Sequence, residues 1–448
     1  MKIRRVFIAN RGEIAVRIIR TCQRLGIETV LGASEADLDS LPARLADRVV
    51  RIGPAKPAGS YLNVEAVVGA AAAAGADAIH PGYGFLSENA SLARRCLKQG
   101  LLLIGPTEEH LLAVGDKLKA REHAIAAGLP VAPGGPAATP DEATALAKQI
   151  GYPLLVKAVG GGGGRGMKLV REPSALIDTV ALAMAEAEAA FADRRVYLER
   201  FVASGRHVEV QIIGDGERVV HLGDRDCSVQ RRYQKLVEEA PAPNLPDRLR
   251  EEIRAAGVRF GRHLGYRGLG TVEFLVDRDR GDFFFLEMNA RIQVEHPVTE
   301  AITGLDLVAE QISVAEGRPL RFTQDEVRWN GHAVECRLNA ERWRQDFQPS
   351  PGTITATLFP AGPGIRVDTH VQRGVKVPPF YDSLLAKIIV HGVDRADALA
   401  RLCGALALCR VDGVETNLGL YTELADDPEF AVGGVDTAYL ARFLERRA

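Results

Sequence analysis

Long apolar runs, paired cysteines and a charge excess of one sign are all missing from this sequence of 448 residues. No window reaches the roughly 18 to 20 uninterrupted apolar residues that a membrane-spanning helix needs. Even the alanine-rich stretch 66–79 is interrupted by two glycines and an aspartate. The residues before Asn10 hold too short an apolar stretch for a signal peptide and no small-residue cleavage site. We therefore expect neither a membrane span nor a targeting segment.

The cysteine pattern and the charge balance narrow the class of protein further. The six cysteines are scattered without a CxxC pair, which favours free thiols in a reducing cytoplasm over a disulfide framework or a zinc site. The 56 basic and 58 acidic residues nearly cancel, so we expect neither nucleic acid nor an anionic membrane as the main partner. The length and the 46% of hydrophobic residues fit a globular protein of about two to four domains.

The first hundred residues alternate between strand-like and helix-like patterns. Strand-like runs at 4–10, 28–34, 47–53, 77–84 and 101–105 are separated by amphipathic helical runs. This alternation predicts a doubly wound α/β domain with a parallel sheet, whose ligands bind at the carboxyl ends of the strands. A helical stretch from Thr107 to about Gly128, a Pro/Gly-rich connector and a small unit of helices and strands come next. Beyond about residue 202, short strands predict a mixed α+β region with antiparallel pairing.

Five consecutive glycines interrupt the small unit, in the stretch KAVGGGGGRGM (157–167). The run contains GxGxxG (Gly161, Gly163, Gly166), but a strand-like run follows it, whereas the dinucleotide fingerprint requires a helix. Two strands joined by bare glycine backbone form a hairpin that can fold over phosphates, with Lys157 supplying a positive charge. A flexible linker is the alternative, although strand-like sequence lies directly against both ends of the run.

Paired carboxylates are predicted in the stretch 270–300. Two strand-like runs flank the turn DRDRGD, and a hairpin centred near Arg280 places Glu273 opposite Glu287 on one face. Two facing carboxylates are normal where Mg²⁺ bridges protein and nucleotide phosphates. Continued alternation puts further polar side chains on that face: Asn289 as a third oxygen ligand, then Arg291, Gln293 and Glu295. A solvated sheet face is the alternative reading of such a polar row.

Two further groups of charged residues stay ambiguous on the residues alone. The cation-rich stretch 225–243 is either a solvated run of charge or an anion pocket in which Lys235 holds a small negative substrate. Arg337 lies on an alternating strand, where surface ion pairing is the alternative to a role in a site.

Eight motifs together resemble biotin carboxylase of the ATP-grasp superfamily. They are IANRGEIAVRIIRT, HPGYGFLSENA, KAVGGGGGRGM, RDCSVQRR, EEAPAP, EMNARIQVEHPVTE, GHAVECRLNAE and PPFYDSLLAKII, and they extend from Ile8 almost to the C-terminus. The resemblance implies an N-terminal doubly wound α/β domain (1–106), a helical linker (107–130), a glycine-rich ATP-grasp lid (131–202) and a C-terminal mixed α+β domain (203–448).

The resemblance also implies an activity, its cofactors and its partners. The activity is ATP-dependent carboxylation of biotin with bicarbonate through carboxyphosphate, the first half-reaction of an acetyl-CoA or acyl-CoA carboxylase. It requires ATP, Mg²⁺ or Mn²⁺, bicarbonate and biotin on a separate biotin carboxyl carrier protein. Carboxyltransferase subunits and a second copy of the chain are the other implied partners.

Roles carry over by resemblance to individual positions. The implied ATP-binding residues are Lys117, Lys157, Gly162, Gly163, Gly164, Glu199, Arg200, His207, Gln230 and Tyr233. The implied metal ligands are Glu273 and Glu287, with Asn289 beside them. The implied bicarbonate and biotin residues are Lys235, Arg291, Gln293, Val294 and Tyr83, with Glu295 as general base and Arg337 as the group that stabilises the biotin enolate.

Three positions depart from the family pattern. Tyr233 stands where the family usually has His, Arg200 replaces a Lys, and Val159 stands where Ser is more frequent. A biotin carboxylase component of a urea- or pyruvate-type system is the alternative within the family. Another ATP-grasp ligase that joins a carboxylate to an amine, and a non-catalytic module derived from the enzyme, are the alternatives outside it.

Overall fold

The computed structural model describes residues 1–159, 167–191 and 193–447. Its first sheet is parallel, with strand order β3-β2-β1-β4-β5. The strands are β1 Arg5–Ile8, β2 Glu28–Ser34, β3 Arg48–Gly53, β4 Ala78–His80 and β5 Leu102–Leu103. The helices between them are α1 Gly12–Arg24, α2 Leu41–Leu45, α3 Val64–Ala73 and α4 Ala90–Lys98. This is the doubly wound order that the alternating pattern predicts.

The helical stretch after the first sheet is two helices, α5 Glu108–Gly115 and α6 Lys117–Ala126. The stretch predicted to be helical from Thr107 to about Gly128 is helical, and Asp116 divides it by capping a new helix: its Oδ1 accepts the backbone N–H groups of Leu118 (2.9 Å) and Lys119 (3.0 Å). The cap makes Lys117 the first residue of α6.

A small four-stranded sheet with order β6-β9-β7-β8 follows. Its elements are β6 Gly134–Ala137, α7 Pro140–Ile150, β7 Leu154–Ala158, β8 Lys168–Val170, α8 Leu176–Phe191 and β9 Val196–Arg200. Strands β7 and β8 pair antiparallel on either side of the glycine run, as predicted, and the run itself (160–166) lies outside the described residues. The Pro/Gly-rich stretch predicted as a mere connector contributes β6, which pairs with β9.

The remaining chain forms an eight-stranded antiparallel sheet with order β14-β13-β10-β11-β12-β15-β22-β20, and three two-stranded ribbons. The strands are β10 Gly205–Asp215, β11 Val219–Arg231, β12 Gln234–Ala240, β13 Arg267–Asp277, β14 Asp282–Asn289, β15 His332–Asn339, β16 Glu341–Arg342, β17 Gln348–Pro349, β18 Gly352–Thr353, β19 Ala356–Leu358, β20 Ile365–Thr369, β21 Lys376–Val377, β22 Leu384–Gly392 and β23 Arg410–Asp412. The helices are α9 Asp247–His263, α10 His296–Thr303, α11 Leu307–Ala315, α12 Arg395–Leu408, α13 Leu418–Ala425, α14 Pro428–Val432 and α15 Tyr439–Glu445.

The two faces of the large sheet differ in polarity, and this difference positions the site. Val208, Val210 and Ile212 of β10 pack into the apolar core beneath α9. The residues that alternate with them, His207, Glu209 and Gln211, are buried and polar. Successive side chains of a strand point to opposite faces, so one face is an apolar core and the other is a buried polar surface.

The fold is mixed α/β and α+β, as the sequence predicts. The three main sheets occupy residues 5–103, 134–200 and 205–392, while the domain limits given above stay predictions. Among the described residues no helix is long and apolar enough to cross a membrane.

Candidate active site

A cavity of about 760 Å³ lies between the first sheet, the small sheet and the polar face of the large sheet. It brings together every sequence-predicted site residue that the structure describes. These are Tyr83, Lys117, Lys157, Glu199, Arg200, His207, Gln230, Tyr233, Lys235, Glu273, Glu287, Asn289, Arg291, Gln293, Val294, Glu295 and Arg337. Gly162, Gly163 and Gly164 lie outside the described residues.

The predicted carboxylate pair is present, and a β-bulge produces it. From the turn, Asp277 pairs with Asp282 and Phe274 with Phe285, a register that would place Glu273 opposite Leu286. The register shifts at this point, so Glu273 faces Glu287 instead. A bulge inserts one extra residue and re-aims the following side chains. The regular hairpin centred near Arg280 was therefore wrong in its register, although the pairing of the two glutamates is confirmed.

Amide and imidazole groups surround Glu273. Asn289 Nδ2 and Gln293 Nε2 donate to its Oε1 at 2.8 and 3.0 Å, and His207 Nε2 lies 2.9 Å from its Oε2. Although burial opposes ionisation, the charges of Lys235 and His207 lower the pKa of Glu273. Burial and the charge of Glu273 raise the pKa of Glu287. Two facing carboxylates with an amide oxygen beside them suit Mg²⁺, which removes their mutual repulsion.

Lys235 holds the centre of the site. Its Nζ donates to Glu209 at 2.6 Å, to Glu295 at 2.7 Å and to Glu273 at 3.0 Å. Burial alone would lower the pKa of this ammonium, but the three carboxylates raise it well above its usual value. Lys235 is therefore a buried, permanent cation that lines the cavity, and the reading of its stretch as a solvated run of charge is wrong at this residue.

Glu295 and Arg337 form an ion pair beside Lys235. Arg337 Nη2 donates to Glu295 Oε2 at 3.0 Å. Burial opposes the charge on Glu295, yet Lys235, Arg337 and Arg225 lower the pKa of Glu295 well below its usual value. The carboxylate is therefore ionised and able to accept a proton, and Arg337 has a buried polar partner instead of the surface ion pair considered as its alternative.

The polar residues that follow β14, namely Arg291, Gln293 and Glu295, line the cavity although they do not belong to a strand. β14 ends at Asn289, and Glu295 is the N-cap of α10, so the strand alternation predicted through Glu295 was wrong. The side chains of the intervening segment nevertheless alternate: Ala290 and Ile292 are buried in apolar cores, while Arg291 and Gln293 line the cavity.

Supporting residues that the motifs do not single out lie behind the site. Arg225, which has no exposed surface, donates to Glu209 at 2.6 Å and to Gln293 at 2.8 Å. Lys387 Nζ, also fully buried, donates to the Val294 carbonyl at 2.8 Å. The alternation of polar residues at 207, 209 and 211 within an otherwise apolar strand is the one sequence pattern that could have indicated Glu209.

The opposite wall of the cavity carries the residues expected to contact a nucleotide. Lys157 on β7 contacts Glu199 on β9, and the Arg200 guanidinium lies 5.2 Å from the centre of the Phe284 ring. Tyr233 lies in the two-residue turn between β11 and β12, where Arg232 and Tyr233 have positive φ values of 48° and 67°. Its side chain is 57% exposed and lines the cavity mouth.

A pair of facing carboxylates on an antiparallel sheet, across a cavity from a small four-stranded sheet, is the arrangement of an enzyme of the ATP-grasp class. Sequence models of known families match three consecutive parts of the chain. They are described as the biotin carboxylase N-terminal domain (2–111), the carbamoyl-phosphate synthase L chain ATP-binding domain (116–323) and the biotin carboxylase C-terminal domain (335–442).

Relatives match along the whole length. A biotin carboxylase of Nostoc sp. is 49% identical over 443 residues, 98% of this chain and 99% of the relative. The solved Campylobacter jejuni biotin carboxylase in complex with β-γ-ATP has a TM-score of 0.94 and 43% identity, covering 98% of this chain and 99% of that one. The biotin carboxylase domain dimer of Hydrogenobacter thermophilus 2-oxoglutarate carboxylase, in complex with MgADP, ADP and bicarbonate, has a TM-score of 0.93 and 42% identity, covering 99% and 98%. The chain belongs to the biotin carboxylase family.

Proposed function

We propose that the chain carboxylates biotin with bicarbonate at the expense of ATP. The observation that carries the proposal is the cluster in which Lys235, Glu295 and Arg337 meet directly beside the facing Glu273 and Glu287. A small anion held by Lys235 lies next to a proton acceptor and next to the expected position of the nucleotide phosphates. This is the arrangement that phosphoryl transfer to bicarbonate requires.

The nucleotide and its metal ion are assigned to the two walls of the cavity. Glu273, Glu287 and the Asn289 side chain would hold Mg²⁺ or Mn²⁺, which offsets the charge on the phosphate oxygens. Lys117 and Lys157 would contact the phosphates. Glu199 and Arg200 would lie along the adenine, with His207, Gln230 and Tyr233 completing the pocket. Gly162, Gly163 and Gly164 are proposed to cover the phosphates. The close approach of Lys157 to Glu199 implies that Lys157 changes partner when nucleotide enters.

Proton transfer and the binding of bicarbonate are assigned to the residues around Lys235. Glu295 would take the proton of bicarbonate while Arg291, Gln293, Lys235 and the Val294 backbone orient the anion, so that a bicarbonate oxygen attacks the γ-phosphorus. The resulting carboxyphosphate breaks into CO₂ and phosphate, and phosphate removes the biotin N1 proton. Arg337 would stabilise the enolate oxygen of biotin, whose ring would pack near Tyr83.

The biological context is proposed as the first half-reaction of an acetyl-CoA or acyl-CoA carboxylase in the cytoplasm. Biotin on a carrier protein and carboxyltransferase subunits would be its partners, and a second copy of the chain would complete a homodimer. The relative from Hydrogenobacter thermophilus is a 2-oxoglutarate carboxylase whose domain is described as a dimer, which supports self-association and keeps a non-acyl-CoA acceptor as a second candidate.

Labelled bicarbonate tests the proposal. We expect ATP- and magnesium-dependent transfer of labelled carbon to free biotin, detected as carboxybiotin, with equal formation of ADP. Label transfer to an amine or carboxylate acceptor without biotin would support another ATP-grasp ligase. Nucleotide binding without turnover under the same conditions would support a non-catalytic module.

A further inference from the structure

A second pair of facing glutamates lies behind the site, apart from the metal-binding pair. Glu238 on β12 is directly opposite Glu335 on β15 in the antiparallel register, and neither residue has exposed surface. Directly opposite residues of an antiparallel pair have Cβ atoms about 4.5–5.5 Å apart. Two carboxylates this close in a buried place cannot both ionise without a large cost in free energy.

The hydrogen bonds of the two glutamates are unequal. Arg337 donates to Glu238 Oε1 through Nε at 2.6 Å, and Nη2 lies 2.5 Å from the same oxygen. Glu238 Oε2 and both oxygens of Glu335 have no hydrogen-bond partner among the described residues. A buried carboxylate anion without partners is strongly disfavoured, whereas a carboxylic acid carries one O–H that its neighbour can accept. A single proton between the two side chains would satisfy one oxygen of each.

The cations near Glu238 and Glu335 also have other partners, so they do not fully neutralise a second negative charge on this pair. Arg337 also donates to Glu295, and Lys387 on β22 donates to the Val294 carbonyl and lies 3.1 Å from Glu13. The other ionisable groups close enough to interact electrostatically with the pair are Lys235, Cys227, Cys336 and Tyr421. Burial, with the charge of Glu238, raises the pKa of Glu335 well above its usual value. Burial also raises the pKa of Glu238 to about 7 despite the Arg337 guanidinium.

We propose that Glu238 and Glu335 share one proton at neutral pH and act as a positioning pair that fixes the orientation and the charge balance of Arg337. With one proton, the pair has a single negative charge that matches the guanidinium. Loss of that proton at alkaline pH adds a second negative charge behind Arg337, which draws the guanidinium away from the substrate oxygen. This inference rests on the role of Arg337 in the proposed function.

The pH profile of kcat for biotin carboxylation is the first test, with Glu335→Gln as the key variant. The amide of Gln cannot lose the shared proton, so we expect the alkaline fall in kcat to move upward by about one pH unit or more relative to the unmodified protein. Glu310→Gln is the matched control, because Glu310 is buried on α11 and contacts Arg321 far from Arg337. If kcat falls at the same alkaline pH in Glu335→Gln and in the unmodified protein, the proposal is wrong.

Infrared spectroscopy in D₂O tests the shared proton without any activity. We expect a protonated-carboxyl absorption at neutral pH that Glu335→Gln removes and Glu310→Gln retains. If the protein carboxylates biotin but this absorption is missing, the shared proton is wrong while the proposed function stands. If the absorption is present and no carboxylation occurs, the proposed function fails and the proton pair stands.

Thermal unfolding gives a third readout, which does not need full activity. Because the pKa of Glu335 is raised in the folded state, its contribution to stability is complete below the unfolded value of about 4.5 and is lost as pH rises toward the folded value. The Gln side chain of Glu335→Gln does not ionise, so the variant does not lose stability in this way. Its Tm should therefore rise relative to the unmodified protein as pH increases from 5 to 8, and a constant difference in Tm would contradict the proposal.

Discussion

Individual side chains in the site are placed by partners far away in sequence. Lys235 is held by Glu209, Glu273 and Glu295, which come from two other strands and a loop. Three carboxylates around one ammonium leave an excess of negative charge, which Arg225 beside Glu209 and Arg337 beside Glu295 offset. The position of Lys235 is therefore set by the whole polar face of the sheet and not by its own stretch of sequence.

Glu295→Gln should abolish most of the biotin carboxylation while nucleotide binding survives. The amide keeps the size of the side chain but cannot accept the bicarbonate proton, so kcat should fall by about 10²–10⁴-fold. Nucleotide affinity, measured by calorimetry with Mg²⁺, should stay within about threefold, since the phosphate contacts are on other residues.

Glu239→Gln is the matched control for that variant. Glu239 is buried like Glu295 but faces His332 and Arg395 instead of the cavity. The Glu239→Gln protein should have a lower stability, but its kcat per folded molecule should be unchanged. Loss of nucleotide binding in a folded Glu295→Gln protein would count against a role confined to proton transfer.

Tyr233→His should leave nucleotide affinity unchanged or make it tighter. His adopts positive φ more readily than a bulky Tyr, so at φ 67° the substitution relieves backbone strain of the order of 1 kcal/mol or less. Isothermal titration with ATP and a thermal melt would measure both effects. A marked weakening of ATP binding would show that the phenol itself is adapted to this pocket.

The residues that line the cavity could be predicted from the sequence, but the buried residues that hold them in position could not. Glu273 and Glu287 could be paired approximately because both lie a few residues from one short turn, but the bulge that makes them face each other could not be predicted. Arg225 and Lys387 could not be placed, because their partners lie at least 14 residues away in sequence and on strands whose neighbours no local pattern specifies.

At the scale of single elements, short irregularities decide what reaches the cavity. The bulge in β14 turns Glu287 toward Glu273, and the cap at Asp116 starts a new helix at Lys117. The bulge has no sequence signature, because it occurs at the end of the apolar run FFFL (283–286), whereas Gly115 and Asp116 are residue types that could have indicated the break between α5 and α6. Periodicity predicts that an element exists more reliably than where it changes direction.

Asp116→Ala should weaken nucleotide binding through the start of α6. Loss of the side-chain cap costs about 1 kcal/mol, and it loosens the first turn of α6, which carries Lys117, a residue proposed to contact the phosphates. We expect a lower Tm and a severalfold weaker affinity for ATP, measured by melting and by calorimetry.

Asp394→Ala is the control for the effect of a lost cap. Asp394 caps α12 by accepting the N–H of Asp397 at 2.9 Å, and it is not among the residues that line the cavity. This variant should lower the Tm without changing ATP affinity. Equal affinities in Asp116→Ala and the unmodified protein would show that the cap does not position Lys117.

At the scale of the whole molecule, the site exists because three sheets meet at one cavity. The alternation of strands and helices predicts the parallel sheet, since each strand and crossover helix is local in sequence. The order of the eight-stranded sheet brings together segments that are distant in sequence, because β12 pairs with β15 and β15 pairs with β22. Such pairings depend on packing of the complete chain and are not readable from periodicity.

The proposed reaction requires that bicarbonate receives the γ-phosphoryl group of ATP. Bicarbonate labelled with oxygen-18, given with ATP, Mg²⁺ and free biotin, reports this step directly. The account predicts that one labelled oxygen appears in each inorganic phosphate released, because the attacking oxygen stays with phosphorus when carboxyphosphate breaks down. Phosphate that carries oxygen from water alone would contradict it.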